Sequence, residues 1–132
     1  MFIGYQRRRT GYQKRELAPY ASINRRGEIV LNASVWEMIG RINYTQLFYD
    51  AESRRIAIGW TKPVDHSLQT FFVRRHGRGG RSRIIRAGRF LKQFGINIIE
   101  TIVFRDLKVE PGQMLVLDLT HDVARWENCR SE

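Results

Sequence analysis

Two short runs of hydrophobic and polar residues with strand patterns mark the start of the predicted fold. Residues 20–24 alternate with a period of two, and residues 28–31 form a short apolar run, Ile29-Val30-Leu31, after Glu28. Arg25-Arg26-Gly27 lies between the two runs and has the glycine that a tight turn favours. The sequence therefore predicts a β-hairpin over this part of the chain.

The pattern changes to a short helix after the first hairpin and then returns to strands. Asn32 is a favoured N-cap residue and Gly40 is typical of the position after a helix, so a helix is predicted over 33–39. Residues 44–49 and 55–60 are rich in aromatic and β-branched residues and predict a second hairpin.

The same order of elements recurs after a predicted linker at 61–69. A shift of 55 residues takes Ile29-Val30 to Ile84-Ile85 and Ile39-Gly40 to Phe94-Gly95. With three more residues in the last loop, Ile56 and Ile58 fall on Met114 and Val116. Strands are predicted over 70–75, 82–86, 101–104 and 114–119, a loop over 76–81, a helix over 88–94 and a turn over 109–112.

Two β-β-α-β-β units, at about 20–60 and 70–119, follow from this recurrence. A unit of roughly 40 residues is too small to be stable alone, so the two units must share one core. We therefore predict a mostly β fold with two short helices, in the α+β class, arranged as a single pseudo-symmetric β-barrel or sandwich. The predicted organisation is a basic flexible arm at 1–18, one domain at 19–120 and a polar tail at 121–132.

Most aromatic side chains of the two units are expected in this core, because large apolar side chains are usually buried. The set is Trp36, Trp60, Phe71, Phe72, Phe90, Phe94 and Phe104.

Positive charge is concentrated in two segments that contain no acidic residue. The chain has 23 Lys and Arg against 13 Asp and Glu, a formal net charge of +10, yet residues 1–15 and 66–99 contain neither Asp nor Glu. Ordinary surface charge is normally interspersed with acids. The planar guanidinium group of arginine can donate two hydrogen bonds at once to a phosphate or a guanine. This pattern therefore favours nucleic acid, DNA or RNA, as the partner.

The candidate nucleic-acid-binding residues are all arginines, placed in the arm, the first turn and the second unit. They are Arg7, Arg8, Arg9, Arg25, Arg26, Arg74, Arg75, Arg78, Arg81, Arg83, Arg86 and Arg89. Four of them, Arg81, Arg83, Arg86 and Arg89, are predicted to line one basic edge. Replacing Arg78, Arg81 and Arg83 together with alanine is predicted to weaken binding more than replacing Arg25 and Arg26.

The first unit resembles the AbrB/SpoVT/MazE-like swapped-hairpin family. The resemblance is carried by residues 22–31, the helix that ends at 38–40, and the strands at 47–50 and 56–58. It implies two interlocked units in one barrel that holds DNA, with Arg25 and Arg26 facing the DNA. Glu28, Asn32 and Tyr44-Thr45 stand where that family commonly has arginine, proline and glycine–aspartate.

The sequence offers little support for a catalytic, metal-binding or membrane-spanning function. His66, His76 and His121 are far apart, and Cys129 is the only cysteine, so no zinc spacing is present. We expect no enzyme, no cofactor and no metal. The longest apolar runs are too short to span a bilayer, and a protein with one cysteine suits the cytoplasm.

The alternative to a nucleic-acid-binding protein is an assembly component. In that reading the basic face meets an acidic partner or another copy of the chain. A homo-oligomer or a larger nucleoprotein complex is compatible with either function.

Overall fold

Ten strands and two short helices make up the described part of the chain. The computed structural model describes residues 18–60, 69–77, 79–110 and 113–120. The predicted arm, linker and tail lie almost entirely outside these residues. The elements are β1 (Ala21–Ile23), β2 (Glu28–Leu31), α1 (Ala33–Met38), β3 (Tyr44–Asp50), β4 (Arg55–Gly59), β5 (Phe71–Phe72), β6 (Arg74–His76), β7 (Ser82–Arg86), α2 (Gly88–Gln93), β8 (Ile102–Phe104), β9 (Lys108–Glu110) and β10 (Met114–Asp118).

The strands form two antiparallel sheets of five strands each. Sheet 1 has the order β6-β7-β2-β1-β8, and sheet 2 has the order β5-β3-β4-β10-β9. The central pairs, β2 with β7 and β4 with β10, each join a strand of the first unit to a strand of the second. The predicted mostly β, α+β class is confirmed. We predicted a barrel or a sandwich, and the two sheets are not closed into a barrel.

The core lies between the inner faces of the two sheets. Ile29 and Ile85 are cross-strand partners in sheet 1, and Ile58 and Leu115 are partners in sheet 2; all four are fully buried. They belong to one cluster of buried residues, to which α1 contributes Val35. Because both units supply both sheets, neither unit could bury its hydrophobic face without the other.

The offset of 55 residues matches the order of elements but not the faces of the strands. Ile29 lies opposite Ile85 rather than Ile84, and adjacent residues of a strand point to opposite faces. The same slip occurs in sheet 2, where fully buried Leu115 and Leu117 are the inward residues and Met114 and Val116 are half-buried. A slip of one residue reverses every side chain, so the predicted equivalents of Ile56 and Ile58 were wrong.

Two predicted elements differ from the structure. The strand predicted over 70–75 is divided at Val73, with β5 in sheet 2 and β6 in sheet 1. The turn predicted at 109–112 is shifted by one residue, because Val109 and Glu110 pair with β10 and the carbonyl of Glu110 accepts from the N–H of Gln113 at 3.1 Å. Residues 111–112 lie outside the described residues.

Two aromatic residues predicted in the core are exposed. Phe72 keeps 53% of its surface because it lies on the two-residue edge strand β5. Phe94 keeps 42% because it is the C-cap of α2, where its ring contacts the rings of Tyr49 and Phe90 on one side only. The prediction that these two side chains are buried was wrong.

Asn32 ties the first helix to the segment that precedes β1. Its Oδ1 accepts from the N–H of Val35 at 3.0 Å, which is the predicted N-cap. The same oxygen accepts from the N–H of Tyr20 at 3.3 Å, and Nδ2 donates to the carbonyl of Ala18 at 2.8 Å. Among the described residues, no helix combines the length and the apolar character needed to cross a membrane.

Candidate nucleic-acid interface

The predicted arginines that the structure describes lie at three places. Arg25 and Arg26 are in the β1–β2 turn, Arg89 is in α2, and the other five belong to the β6–β7 hairpin: Arg74, Arg75, Arg81, Arg83 and Arg86. Arg7, Arg8, Arg9 and Arg78 lie outside the described residues.

Three guanidinium groups converge beside α1, and we call Arg41, Arg75 and Arg83 the arginine cluster. Arg75 and Arg83 are cross-strand partners on β6 and β7, so their side chains leave the sheet on the same face. Burial of the guanidinium, and then the charges of Arg75 and Arg41, lower the pKa of Arg83 below its ordinary value. The fold therefore holds like charges close enough to repel each other.

Arg83 is fixed in place by neutral groups rather than by an acid. Its guanidinium carbon lies 3.7 Å from the centre of the Trp36 ring, a close cation–π contact. Its Nη1 donates to the carbonyl oxygens of Gly80 and Ser82. Trp36 is held in turn by its own indole N–H, which donates to the carbonyl of Ile42 at 2.9 Å. The positive charge of Arg83 is thus positioned without being neutralised.

Arg41 is a member of the cluster that sequence reasoning missed. It follows Gly40 in the chain reversal after α1, where both residues have positive φ, 94° for Gly40 and 54° for Arg41. Its Nη2 lies 3.3 Å from Oε2 of Glu37 in an exposed ion pair. Because Glu37 lies only four residues before Arg41, Arg41 is not part of an acid-free segment and was not selected from the sequence. In the structure Arg41 nevertheless lies beside Arg83.

The β1–β2 turn forms a second basic surface with α2, which we call the turn patch. Arg25, Arg26, Lys92 and Asn97 line a shallow depression of about 230 Å³. Asn24 orders the turn, since its Oδ1 accepts from the N–H groups of Arg26 and Glu28 at 3.0 and 3.1 Å. The structure therefore joins Arg25 and Arg26 to a lysine of the second unit.

The single basic edge predicted through Arg81, Arg83, Arg86 and Arg89 is divided in the structure. Arg83 lies opposite fully buried Leu31, whereas Arg86 lies opposite Glu28, so the two arginines leave opposite faces of sheet 1. The prediction of one edge was wrong because Arg83 and Arg86 are three residues apart. Side chains separated by an odd number of residues on a strand point to opposite faces. The arginine cluster and the turn patch are the two groupings that replace it.

Few of these positive charges are neutralised within the described part of the chain. Its ion pairs join Arg26 to Glu28, Arg41 to Glu37 and Arg55 to Glu110. Over the same residues, these ion pairs include none of the following arginines: Arg74, Arg75, Arg83, Arg86 and Arg89. These five arginines of the acid-free segment therefore belong to none of the ion pairs that the described residues form with one another.

An aromatic pair lies at the edge of sheet 2 next to the β6–β7 hairpin. Tyr44 of β3 and Phe72 of β5 are cross-strand partners with ring centres 5.3 Å apart. The guanidinium carbon of Arg74 is 5.7 Å from the centre of the Phe72 ring. Sequence reasoning assigned Phe72 to the core, and only the division of the predicted strand at Val73 reveals its exposure.

Among the described residues, no three His, Cys, Asp or Glu side chains are grouped as a metal site would require. Comparison with protein families, with curated proteins and with solved structures found no match to the chain.

Proposed function

We propose that the chain is a non-catalytic nucleic-acid-binding protein that holds phosphate groups with arginine side chains, as a regulator or as a subunit of a nucleoprotein assembly. The observation that carries this proposal is the arginine cluster, in which Arg75 and Arg83 face each other with no acid between them in the described structure. Like charges directly opposite on a sheet destabilise it. A bound phosphate would relieve that repulsion.

The chemistry of the cluster suits phosphate better than a carboxylate on a flexible chain. Arg83 is held on Trp36 and by two carbonyls, so little side-chain entropy is lost when it binds an anion. Arg75 is exposed and brings a second planar fork to the same face. Arg74 and Arg86 are exposed on the opposite face of sheet 1, and Arg89 is exposed on α2. These three arginines would hold a further stretch of the phosphate backbone, beyond the stretch held by the cluster.

Replacing Arg75 with glutamine is expected to raise the stability of the fold while weakening its binding to nucleic acid. Stability should rise by about 0.5 kcal/mol at low ionic strength, because the like charge opposite Arg83 is removed. The slope of log affinity against log salt should fall by about 1, as for one lost phosphate contact. Urea denaturation and fluorescence anisotropy with a labelled oligonucleotide measure the two effects.

Arg105→Gln is the matched control, because Arg105 is exposed and follows β8 at the opposite edge of sheet 1. It removes the same charge and should leave the slope nearly unchanged. Affinity that is absent at low salt, or that does not change with salt, would contradict the proposal. A salt-dependent homo-oligomer without affinity for nucleic acid would instead favour the assembly component.

We also propose that the two sheets act as one pseudo-symmetric unit, a β-barrel or sandwich with a shared core. In the second unit only Val73 separates β5 of sheet 2 from β6 of sheet 1, and its N–H donates to the carbonyl of Asn43 at 2.9 Å. Residues 105–107 of the same unit connect β8 of sheet 1 to β9 of sheet 2. The second unit thus passes from one sheet to the other at two places, which supports one unit shared by both sheets.

A single shared unit predicts that both sheets open together. In native-state hydrogen exchange at low urea, the amides of Ile29 and Ile85 should report the same opening free energy as those of Ile58 and Leu115. All four residues are fully buried, so differences in exposure do not confuse the comparison. Two separate opening free energies, one for each sheet, would rule out the single unit.

A further inference from the structure

Two large aromatic rings are displayed at the sheet edge where a folded protein would normally bury them. Tyr44 is 58% exposed and Phe72 is 53% exposed, and their rings contact each other at a tilt of 54°. Each ring keeps more than half of its surface in the solvent. The pair therefore contributes less to the core than its size would allow.

The backbone beneath the pair is firmly held. Thr45 is 2% exposed, and its hydroxyl donates to the carbonyl of Phe71 at 3.3 Å. The N–H of Val73 donates to the carbonyl of Asn43, and both Phe71 and Val73 pack against the core cluster. The two rings are therefore carried by strands whose backbone is already fixed. Little conformational entropy is lost when a ligand stacks on the rings.

The charge beside the rings selects the kind of ligand. Arg74 lies over the Phe72 ring and belongs to none of the ion pairs that the described residues form. A flat apolar surface next to an unneutralised guanidinium group suits a ligand that is flat and also carries negative charge. A nucleobase joined to phosphates has both properties. A second copy of the chain, with a net charge of +10, would be repelled.

We propose that Tyr44 and Phe72 stack unpaired bases, so that the nucleic acid the chain binds is single-stranded. This inference rests on the proposed function and adds the strand form of the ligand to it. Bases in a duplex are stacked on one another and offer only their edges in the grooves, whereas a single strand offers free base faces. Arg74 would contact the phosphates on either side of a stacked base.

The test compares labelled oligothymidylate of about 20 nucleotides, long enough to span a site, with a duplex of equal length at the same salt concentration. The variant is Tyr44→Leu with Phe72→Leu, which keeps apolar side chains but removes both rings. Its affinity for the single strand should fall about 5- to 150-fold for each base that loses a stacking partner. Its weaker affinity for the duplex, and the salt slope on the single strand, should change little.

Phe94→Leu is the matched control, since Phe94 is also an exposed ring, 42%, but lies at the end of α2. Tyr44→Phe keeps the ring and should keep the affinity, which guards against a double variant that fails to fold. Equal binding of both strand forms, with no effect of the double variant, would overturn the inference and leave the proposed function intact. No binding of either form would overturn the proposed function itself.

Discussion

Replacing Gly27 with alanine is expected to lower the free energy of unfolding by about 3 kcal/mol, since two separate costs add. Gly27 has φ of +82°, where an L-residue pays about 1–2 kcal/mol. A Cβ built there would lie 2.7 Å from the Cα of Gly88 and 3.2 Å from its N, so backbone atoms at the start of α2 would have to move. Overpacking of this kind costs about 1–3 kcal/mol.

Substitutions at two other glycines distinguish the conformational cost from the packing cost. Gly40 has φ of +94°, and a Cβ there meets nothing within 4 Å, so Gly40→Ala should show the conformational cost alone, about 1–2 kcal/mol. A Cβ on Gly88 would lie 3.7 Å from the carbonyl of Arg26, an ordinary contact, so Gly88→Ala should be nearly neutral. The midpoint and slope of urea denaturation report all three changes. Equal losses for Gly27→Ala and Gly40→Ala would show that the contact with α2 is unimportant.

The contact of Gly27 with Gly88 also bears on the turn patch. The carbonyl of Gly27 accepts from the N–H of Ala87 at 2.9 Å, so the turn is joined to the start of α2 by a hydrogen bond as well as by packing. A shift of the turn would move Arg25 and Arg26 away from Lys92, which lines the same depression. Sequence reasoning identified Gly27 as a turn residue but contained nothing to indicate its partner in the other unit.

Local features of the fold were predictable because their causes lie within a few residues. The predicted bounds of β2 and β7 agree with the structure, since short apolar runs, Ile29-Val30-Leu31 and Ile84-Ile85, and the flanking Arg-Gly and Gly-Arg segments define both strands. Asn32 accepts the predicted N-cap bond from Val35. Features set by pairing between distant strands were not predictable, and the division of the chain at Val73 is the clearest case.

The same distinction applies to the candidate interface. An acid-free run is visible in the sequence, and it led to Arg75 and Arg83. The contact of Arg83 with Trp36 and the approach of Arg41 depend on how α1 packs on β7, which no spacing in the chain reveals. Charge along a chain predicts how much positive charge a surface carries, whereas its distribution over two faces follows from strand register.

The second unit is expected to supply most of the affinity for nucleic acid, as the sequence predicted. Because Arg78 is not described and Arg83 is packed on Trp36, the test uses other arginines. The variant replaces four exposed arginines with glutamine: Arg74, Arg75, Arg86 and Arg89. Each loses a charge-assisted contact of about 1 kcal/mol, so affinity should fall roughly 10³-fold and the salt slope by about 4.

A charge-matched variant decides whether position or total charge matters. It also replaces four exposed arginines with glutamine: Arg25, Arg26, Arg54 and Arg105. Here Arg26 already has a partner in Glu28 at 3.5 Å, and Arg105 lies at the opposite edge of sheet 1, so the loss should be about tenfold. Anisotropy titrations of both variants over a range of salt concentrations give the two slopes. Equal losses would mean that the protein binds through its net charge alone, and a larger loss in the second variant would transfer the interface to the turn patch.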